Sequence, residues 1–457
     1  MATSFSCSAG FVLGVDLGTT SVKVVLLDER KTVTDCTSFP TNSDISCTTN
    51  KHAREQDPAL IITALNRCMD HLPKDKLPKV KSIGICGQMH GILLWKSKTG
   101  CEWLKEDAVT RYIPKDASQL ITWQDGRCST TFLSSLPKPD SHLSVATGFG
   151  CATIFWYMKH RPEFLSDFTV AGTIQDYVVS MLCSLDNCVM TGQNAASWGY
   201  FNTTTNQWNK HILKEAGFPV HLLPVVVESG AVAGHTSFEW CGIPAQTPVS
   251  AALGDFQCSV YSCMADTGDA EFCPPSSPDP LSPTAYFPYF RGSYLAVAAS
   301  LNGGNVMATF ARMLGSWMKE FGLEVSESGI YSQLIQSGLT HPNTDLTVTP
   351  TLLGERHDPS ALASICQISP SNLSLGDVTR AVCRGIIQNM ATMMPPENLQ
   401  AAGVKRIIGS GSALSCNAVL KQEVEAVFPF PVVYGKDVDS AFGVAMVFSD
   451  QMYEYTK

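Results

Sequence analysis

A short polar turn between two apolar runs near the N-terminus leaves few folds open to this chain. Residues 12–15 and 22–28 are rich in β-branched and aliphatic side chains, and the turn between them reads Asp-Leu-Gly-Thr-Thr-Ser. Two such runs joined by a short turn containing glycine predict a β-hairpin. The turn is not a Walker loop, because it lacks a Gly-Lys-Ser/Thr ending and leads into a strand instead of a helix. Taken alone, it fits a plain polar hairpin as well as a phosphate-binding loop.

The turn nevertheless carries the groups that a phosphate-binding loop needs. Gly18 permits a tight turn and close approach of the backbone, while Thr19 and Thr20 offer amide and hydroxyl donors to phosphate oxygens. Asp16, at the end of the first strand, can hold Mg²⁺, usually through water. These four residues are the candidate ATP-binding and metal-binding groups of the first half of the chain.

Length, composition and charge bound the class of protein. A chain of 457 residues is too long for one compact core and suits two domains. With 44% hydrophobic and 16% charged residues, disorder over most of the length is not expected. A formal net charge of -9 argues against a nucleic-acid or anionic-membrane partner. No apolar run approaches the ~18 residues that span a bilayer.

Targeting signals and cysteine spacing favour a cytoplasmic enzyme. The first ten residues lack the basic and apolar regions of a signal peptide. The 17 cysteines are scattered, with no Cys-x-x-Cys pair and no zinc-type spacing. They are expected to be reduced thiols. The sequence does not specify an oligomeric state.

Alternating strand and helix patterns predict an α/β organisation in two domains. The first domain is predicted over 1–249, and its residues 54–72 have helical spacing with Asp57 as N-cap. The second, over 250–457, opens with a small-residue strand at 249–253. Further strands are predicted over 80–86, 296–300, 406–408 and 430–434, and further helices over 302–313, after Ser374, over Asn417–Val427 and over Asp439–Phe448.

The turn that follows the predicted strand at 80–86 reads Gly-Gln-Met-His-Gly and supplies Gln88, Met89 and His90. In isolation His90 is more simply a histidine satisfied within a loop. Sugar contact by this turn is what the family resemblance described below implies.

A second polar segment, Trp-Gln-Asp-Gly-Arg, also suits a polyol. Trp123 offers an apolar wall, and Asp125 and Arg127 can bond to sugar hydroxyls. The alternative for Asp125 with Arg127 is a surface ion pair. Asp176 and Asn194 are weaker candidates, since either can simply cap a helix.

Two Gly-containing motifs lie in the second half of the chain. Asp255, after Gly254, can act as the general base that takes the proton of a sugar hydroxyl, and it can also serve as an N-cap. The turn between the strand at 406–408 and the next helix can lie against a nucleotide, since its glycines permit close backbone approach. Its four residues are Gly409, Ser410, Gly411 and Ser412.

These segments, in this order, resemble the FGGY family of carbohydrate kinases, within the superfamily of sugar kinases, heat-shock chaperones and actin. The resemblance implies a two-domain, actin-like or ribonuclease H-like α/β ATPase fold with the active site in the interdomain cleft. It implies ATP and Mg²⁺ as cofactors and a small-molecule sugar as substrate. In the family pattern the Gln-Met-His and Trp-x-Asp-x-Arg segments line the sugar site, Gly-Asp carries the base, and residues 407–413 form the adenosine motif.

Three further segments narrow the resemblance to kinases that phosphorylate the terminal hydroxyl of a seven-carbon ketose. The segments are Ser144–Trp156, Ala196–Asn202 and Leu353–His357. The number of carbons rests on the resemblance alone. Xylulose and ribulose are the nearest alternative substrates.

One part of the family pattern is missing. Soon after the Gly-Asp motif the family carries a second hairpin, with a Gly-Thr-Ser-like or Ser-Thr-Ser-like turn facing the first phosphate loop. Here the chain runs from Met264 into a Pro/Ser-rich stretch without a following apolar strand, so this hairpin is predicted to be lost near 266–285. The chain is then a splice form or faulty gene model of an active enzyme, or a form with an impaired phosphate site.

Two further classes of function follow as alternatives. The first is a catalytically weak sugar- or nucleotide-binding protein with a regulatory role, which the missing hairpin motivates. The second is an ATPase chaperone or filament protein on the same fold. The sugar-type segments around His90 and Asp125 argue against this last class.

Overall fold

The computed structural model describes residues 10–46, 50–106, 109–264, 282–434 and 439–455, without the side chains of residues 106, 412 and 451–455. Within these segments the chain forms two compact units. The first unit takes residues 10–264, 286–295 and 439–455, and the second takes 282–285 and 296–434. The first unit thus continues past residue 249, and the family-domain boundary predicted there stays a prediction.

The strands of the described segments are short, apart from those of the first hairpin and its neighbours. In chain order they are β1 (Phe11–Leu17), β2 (Ser21–Leu27), β3 (Val33–Pro40), β4 (Asp44–Ile45), β5 (Glu55–Gln56), β6 (Val80–Gly87), β7 (Leu93–Trp95), β8 (Cys101–Glu106), β9 (Val109–Pro114), β10 (Leu120–Ile121), β11 (Val170–Gly172), β12 (Val189–Thr191), β13 (Phe201–Asn202), β14 (Gln207–Trp208), β15 (Val225–Val227), β16 (Val232–His235), β17 (Pro248–Ser250), β18 (Leu253–Gly254), β19 (Ala285–Pro288), β20 (Tyr294–Val297), β21 (Thr347–Thr349), β22 (Ser364–Cys366), β23 (Ile407–Gly409) and β24 (Val432–Tyr434).

The helices range from single turns to nineteen residues. In chain order they are α1 (Pro58–Asp70), α2 (Thr130–Ser134), α3 (Gly150–His160), α4 (Pro162–Ser166), α5 (Ile174–Cys183), α6 (Gly192–Ala196), α7 (Lys210–Glu215), α8 (Asp255–Cys263), α9 (Gly304–Glu320), α10 (Glu327–Leu339), α11 (Leu375–Met393), α12 (Pro396–Ala401), α13 (Ser412–Ser415), α14 (Ala418–Val427) and α15 (Ser440–Tyr455). None of these helices is long and apolar enough to cross a membrane.

The main sheet of the first unit is built around the predicted hairpin. β1 pairs with β2 in antiparallel fashion, which confirms the hairpin, and β6 pairs with β1 in parallel on its other side. The strand order is β16-β17-β6-β1-β2-β3, and β18 also pairs with β6. β6 is buried along nearly its whole length. The unbroken burial of residues 82–87 is that of a central strand covered on both faces.

Two helices cover this sheet. α1 buries Ile61, Leu65 and Cys68 in the core that includes β1, β2 and β6. Asp57 is its N-cap, as predicted, and accepts a hydrogen bond from the amide of Ala59. The predicted helix began too early, because the residues before Asp57 pair as β5.

α15 packs on β1 and β6 at backbone distance, and this confirms the predicted last helix. A Cβ at Gly14 of β1 would lie 2.0 Å from the carbonyl oxygen of Ala441, and one at Gly84 of β6 would lie 2.9 Å from that of Val444. Glycines at these positions let the helix approach closely. The small residues of this segment serve close packing here.

The second unit contains α9 to α14, and the predicted cap Ser374 is confirmed. Ser374 caps α11 through the amide of Asp377, and Asn417 caps α14 through the amides of Val419 and Leu420. β23 and β24 pair in parallel beside them. Two other predictions differ in extent. α9 runs seven residues beyond the predicted end at 313, and the strand predicted over 249–253 is split into β17 and β18.

Candidate functional site

Three strand ends meet at one edge of the main sheet of the first unit. β1 and β18 both pair in parallel with β6, and Asp16 and Leu253 lie on opposite sides of Cys86. Neighbouring strands are about 4.8 Å apart, so the backbones of Asp16 and of Leu253, two residues before Asp255, are about 10 Å apart. Ligands of open α/β sheets bind at the carboxyl ends of the strands. The register therefore brings the predicted metal ligand and the predicted base to a binding edge.

Burial raises the pKa of both carboxylates, so both are weaker acids than an ordinary aspartate. Burial raises the pKa of Asp255 to about 6. The hydrogen bond that its Oδ1 accepts from the Phe256 amide at 2.7 Å lowers the pKa, but by less than burial raises it. Burial, and then repulsion from Asp255 and Asp439, raises the pKa of Asp16 well above its ordinary value. Asp255 is the first residue of α8 and Gly254 is the N-cap, so the N-cap alternative for Asp255 was wrong. This position leaves its carboxylate at the sheet edge.

The carboxylate set fits a hydrated Mg²⁺ ion better than a metal cage. Buried carboxylates that repel each other are stabilised by a divalent cation. Lys23 already pairs with Asp439, so that carboxylate is neutralised by the protein. Within the described residues, no group of three or more His, Cys, Asp or Glu side chains could hold a metal ion. Asp16 therefore suits an ion whose other ligands are water and substrate phosphate oxygens.

The turn between β1 and β2 is tight, and phosphate binding by it stays a prediction. A Cβ at Gly18 would lie 2.9 Å from the carbonyl oxygen of Ser21, so a side chain there would force the turn to shift. Thr20 is exposed, and its carbonyl accepts a hydrogen bond from the amide of Thr41 at 2.9 Å. Thr19 is half-buried. The loop is thus anchored through the Thr20 carbonyl, while the Thr20 side chain is exposed.

The predicted sugar turn follows β6 directly. Gln88 is 2% exposed and Met89 is 8% exposed. A Cβ at Gly254 would lie 2.6 Å from the Met89 sulfur, so Met89 packs against the residue before the predicted base. His90 has a φ of 70°, shares a hydrogen bond between Nδ1 and the carbonyl oxygen of Ser197, and stacks on Phe149.

The second predicted sugar segment is held by a buried ion pair. Asp125 is fully buried, and its two oxygens accept from the side chain of Arg127 at 2.7 and 2.9 Å and from two backbone amides. Arg127 also pairs with Glu55 at 2.6 Å and is held by Tyr157. Asp125 and Arg127 do form an ion pair, but its predicted surface location was wrong, because both side chains are buried inside the unit. Sugar contact by either residue stays a prediction.

Asp176 forms part of a helix cap. With Thr173 it makes a reciprocal capping box at the start of α5, in which Asp176 accepts from the Thr173 amide and hydroxyl. Burial raises the pKa of Asp176 to about 7. Asn194 lies in α6 and donates to the carbonyl oxygen of Ala252 at 3.1 Å. The capping alternative is thus realised for Asp176.

The predicted adenosine turn lies in the second unit. It follows β23, and Gly411 has a φ of 93° with open space around the position of a Cβ. A Cβ at Gly304 would lie 3.0 Å from that of Ala413, so the start of α9 adjoins this turn. Gly303, also open, precedes it. The sequence marked Gly303 and Gly304 only as a helix start, and their pairing in space was not visible in it.

Two buried polar residues of structural importance escaped the sequence interpretation. Gln56 bonds to both predicted ligand loops, but it lay inside the range predicted as helix. Glu355 of the second unit accepts from Ser300, Leu301, Asn302 and Asn389. The Leu-Gly-Glu-Arg-His segment was used only for resemblance. No local signal identifies either network, because the partners are distant in sequence.

The predicted loss near 266–285 falls mostly on residues 265–281, which lie outside the described residues. The described part is 282–285; β19 begins at Ala285 and pairs with β20 further along the chain.

Comparison with known proteins identifies relatives along the whole chain. Over 458 aligned residues the chain is 54% identical to a sedoheptulokinase from Mus musculus, covering 95% of this chain and 96% of that protein. It is 53% identical to a sedoheptulokinase from Homo sapiens, with the same coverage. The 458 aligned residues exceed what 95% of a 457-residue chain supplies. The mouse protein therefore has residues with no counterpart here.

Solved structures agree in fold. A xylulose kinase from Rhodospirillum rubrum superposes with a TM-score of 0.74 at 19% identity, covering 97% of this chain and 90% of that one. A Plasmodium falciparum glycerol kinase with ADP gives a TM-score of 0.72 at 18% identity, with the same coverage. The predicted α/β fold of two-domain sugar kinases is confirmed. The profile of the FGGY family of carbohydrate kinases, N-terminal domain, matches residues 11–262. The chain belongs to the FGGY family of carbohydrate kinases.

Proposed function

We propose that this chain transfers the γ-phosphoryl group of ATP to the terminal hydroxyl of sedoheptulose, giving sedoheptulose 7-phosphate and ADP. The observation that carries the reaction is the meeting of Asp16 and Asp255 at one sheet edge beside the Gln88–His90 turn. The choice of sugar is supported by identities of 53–54% to two sedoheptulokinases over nearly the whole chain. We further infer a cytoplasmic enzyme that acts on small molecules alone.

Asp255 is the proposed general base. A pKa of about 6 leaves its carboxylate ionised at neutral pH and makes it a stronger base than an ordinary aspartate. As the sugar oxygen bonds to the γ-phosphorus and the bond to the ADP oxygen breaks, the hydroxyl proton passes to the Asp255 carboxylate. The bond from the Phe256 amide keeps one carboxylate oxygen in place, so the other is directed to the sugar.

The remaining residues bind and orient the substrates. Gly18, Thr19 and Thr20 present backbone amides to phosphate oxygens, and Thr20 also presents its hydroxyl. Asp16 would hold Mg²⁺ through water, and the ion when bound would offset charge on the transferring phosphoryl group. Sugar contacts are assigned to Gln88, Met89, His90, Trp123, Asp125, Arg127 and Asp176. Nucleotide contacts in the second unit are assigned to Gly409, Ser410, Gly411 and Ser412.

The test is ADP production by the purified chain with Mg²⁺-ATP and sedoheptulose, in parallel with xylulose, ribulose and glycerol. Asp255→Asn keeps the shape of the side chain and removes its basicity, so turnover should fall by roughly 10²–10⁴-fold. Asp186→Asn is the matched control, because Asp186 is an exposed carboxylate of the same unit paired with Lys98 at 3.7 Å. Chelation of Mg²⁺ should abolish turnover in every variant.

Sedoheptulose-dependent turnover that survives Asp255→Asn would remove Asp255 from its role. A preference for another of the sugars would correct the substrate within the same class.

A second candidate is a catalytically weak sugar-binding form of the same family. It is favoured by the residues of the mouse relative that have no counterpart here. Saturable binding of sedoheptulose to a folded chain without ADP production would support this form. Turnover lost in Asp255→Asn would exclude it.

A further inference from the structure

A closed ring of hydrogen bonds joins the phosphate loop to the sugar turn within the first unit. Thr19 Oγ1 donates to Gln88 Oε1 at 3.4 Å, and Gln88 Nε2 donates to Gln56 Oε1 at 3.0 Å. Gln56 Nε2 donates back to the carbonyl oxygen of Thr19 at 2.8 Å. Gln56 and Gln88 are 1% and 2% exposed, so water competes little for these bonds. The ring is a direct polar link between the two loops.

Asp44 sets the direction of each bond in the ring. Gln56 Nε2 also donates to Asp44 Oδ1 at 2.9 Å. A carboxylate and a backbone carbonyl only accept, so Gln56 must turn its nitrogen to Asp44 and Thr19 and its oxygen to Gln88. Gln88 must then turn its nitrogen to Gln56 and its oxygen to Thr19. The Thr19 hydroxyl is therefore the donor in its bond to Gln88.

Trp123 is attached to the same ring. Its Nε1 donates to Thr19 Oγ1 at 3.0 Å, and this lone pair is available because the hydroxyl hydrogen points to Gln88. Both sides of the Thr19 hydroxyl are thus occupied by protein partners. It follows that Thr19 meets a phosphate through its backbone amide, while its hydroxyl orients the indole.

The backbone of Gln56 is itself fixed. β5 lies between β4 and β10, with Asp44 and Leu120 opposite Gln56 in the register. Its side-chain bonds go to Asp44, Thr19 and Gln88, and Gln56 is not among the residues assigned to substrate contact. Its bonds can act on the reaction only through the residues that they hold.

We infer that Gln56 is a positioning residue that holds the phosphate loop, Gln88 and Trp123 in one arrangement, so that the nucleotide and sugar sites are ordered together. The inference rests on the proposed function, since it takes Thr19 as a nucleotide contact and Gln88 and Trp123 as sugar contacts. It adds a residue that the family motifs discussed above do not contain.

The first experiment breaks the ring at two points. Gln56→Met keeps the length of the side chain and removes its three bonds, and Thr19→Val removes only the hydroxyl. Each should raise the KM for sedoheptulose by roughly tenfold, the worth of about one buried hydrogen bond. Because both changes open the same ring, the double variant should be no worse than the more severe single variant. Additive increases would overturn the inference.

The control is a buried amide of the same unit that belongs to another network. Asn209 accepts from the Asp140 amide and donates to the Asp140 carbonyl oxygen, and it is 4% exposed. Asn209→Leu should lower the Tm without changing the KM for sedoheptulose or the KM for ATP. If it raises KM as Gln56→Met does, the effect is one of general stability and Gln56 has no positioning role.

The second experiment tests the polarity of the ring. Gln56→Glu conserves shape but places carboxylate oxygens against Asp44 and the Thr19 carbonyl, so it should raise KM more than Gln56→Met does. The Gln56→Glu/Asp44→Asn double variant regains one donor and should recover part of the loss. If Gln56 merely fills space, the isosteric Gln56→Glu should raise KM less than Gln56→Met does.

The third experiment needs no ligand and no turnover. In protein containing 5-fluorotryptophan, the ¹⁹F resonance of Trp123 is assigned by its absence from Trp123→Phe. It should shift in Gln56→Met and Thr19→Val and stay in place in Asn209→Leu. An unmoved resonance in the ring variants would overturn the inference. A shifted resonance in a chain that phosphorylates no sugar would leave the ring intact and reject the proposed function.

Discussion

Asp176 is both a helix-capping residue and a fully buried carboxylate. It accepts the Thr173 amide and hydroxyl at the start of α5, and it is fully buried. Bonds from Thr173 and Asn194 favour the charged form, but burial outweighs them and raises the pKa of Asp176 to about 7. The folded protein therefore holds a proton on this residue under mildly acidic conditions, where an exposed aspartate would have lost it.

This raised pKa predicts that stability falls as the pH rises. Between the unfolded pKa of about 3.9 and the folded value of about 7, the folded state binds a proton that the unfolded state has lost. The contribution of Asp176 is complete below pH 4, declines through this window by on the order of a few kcal/mol, and is constant above it. Asp176→Asn keeps an acceptor for Thr173 and cannot ionise. The variant should match the wild type near pH 4.5 and have the higher Tm at pH 7.5, whereas Asp186→Asn should show no such trend.

Parallel Tm curves for the wild type and Asp176→Asn across this range would mean that Asp176 is ionised in the folded state at all of these pH values.

How far a residue's role could be predicted from sequence depended on where its partners lie in the chain. Asp57 and Ser374 were predictable as caps, because a cap bonds to amides two or three residues ahead. Asp125 was placed in the right segment but in the wrong environment, since its burial depends on Glu55 and Tyr157 around Arg127. Gln56 was missed for the same reason. Its three bonds reach residues 12, 32 and 37 positions away.

Among the elements, α15 shows how glycines decide the distance between a helix and its neighbours. A Cβ at Gly443 would lie 1.9 Å from the carbonyl oxygen of Cys258 in α8. Gly14 and Gly84 likewise permit close approach of α15 to the sheet. Since α8 begins with Asp255, the closeness of this packing also fixes the start of the helix that carries the proposed base.

Gly443→Ala should therefore destabilise the first unit. The new methyl group meets backbone on a neighbouring helix, and the clash cannot be relieved by a side-chain rotation, so we expect a loss of about 1–3 kcal/mol or more. Gly192→Ala, at the start of α6, is the control, because its nearest atoms would lie 3.9 Å away. Thermal unfolding of both variants measures the difference. A Tm for Gly443→Ala equal to that of the control would show that α15 can move away from α8 without cost.

The extent of an element was harder to predict than its existence. The hairpin of β1 and β2 was predictable because its two apolar runs and its glycine turn are contiguous in sequence. The apolar run at 249–253 looked like one strand, but β17 and β18 pair with different parts of β6, and the chain bends between them. Which residues of an apolar run join a ladder is set by the partner strand, and no local pattern records that.

For the whole molecule, the proposed site residues are divided between the two compact units. The phosphate loop, the sugar turn and the proposed base belong to the first unit, and the adenosine turn belongs to the second. The predicted loss of a second phosphate hairpin concerns the stretch between Met264 and residue 285, where the sequence is rich in proline and serine. That hairpin would add fixed donors to the transferring phosphoryl group. Its loss would act on the rate of transfer, because the sugar contacts come from other segments.

We therefore predict that this chain has a much lower kcat than the mouse sedoheptulokinase but a similar KM for sedoheptulose. One preorganised donor to a transition-state charge is worth roughly 10²–10³ in rate, so loss of the hairpin should lower kcat by at least that factor. Sugar affinity should change by less than about threefold, since the turn at Gln88–His90 and the segment at 123–127 are both present. Steady-state kinetics of the two enzymes under one set of conditions measures both constants. Equal kcat values would show that donors elsewhere in the chain replace the hairpin. A KM raised tenfold with kcat unchanged would show instead that the missing residues order the sugar site.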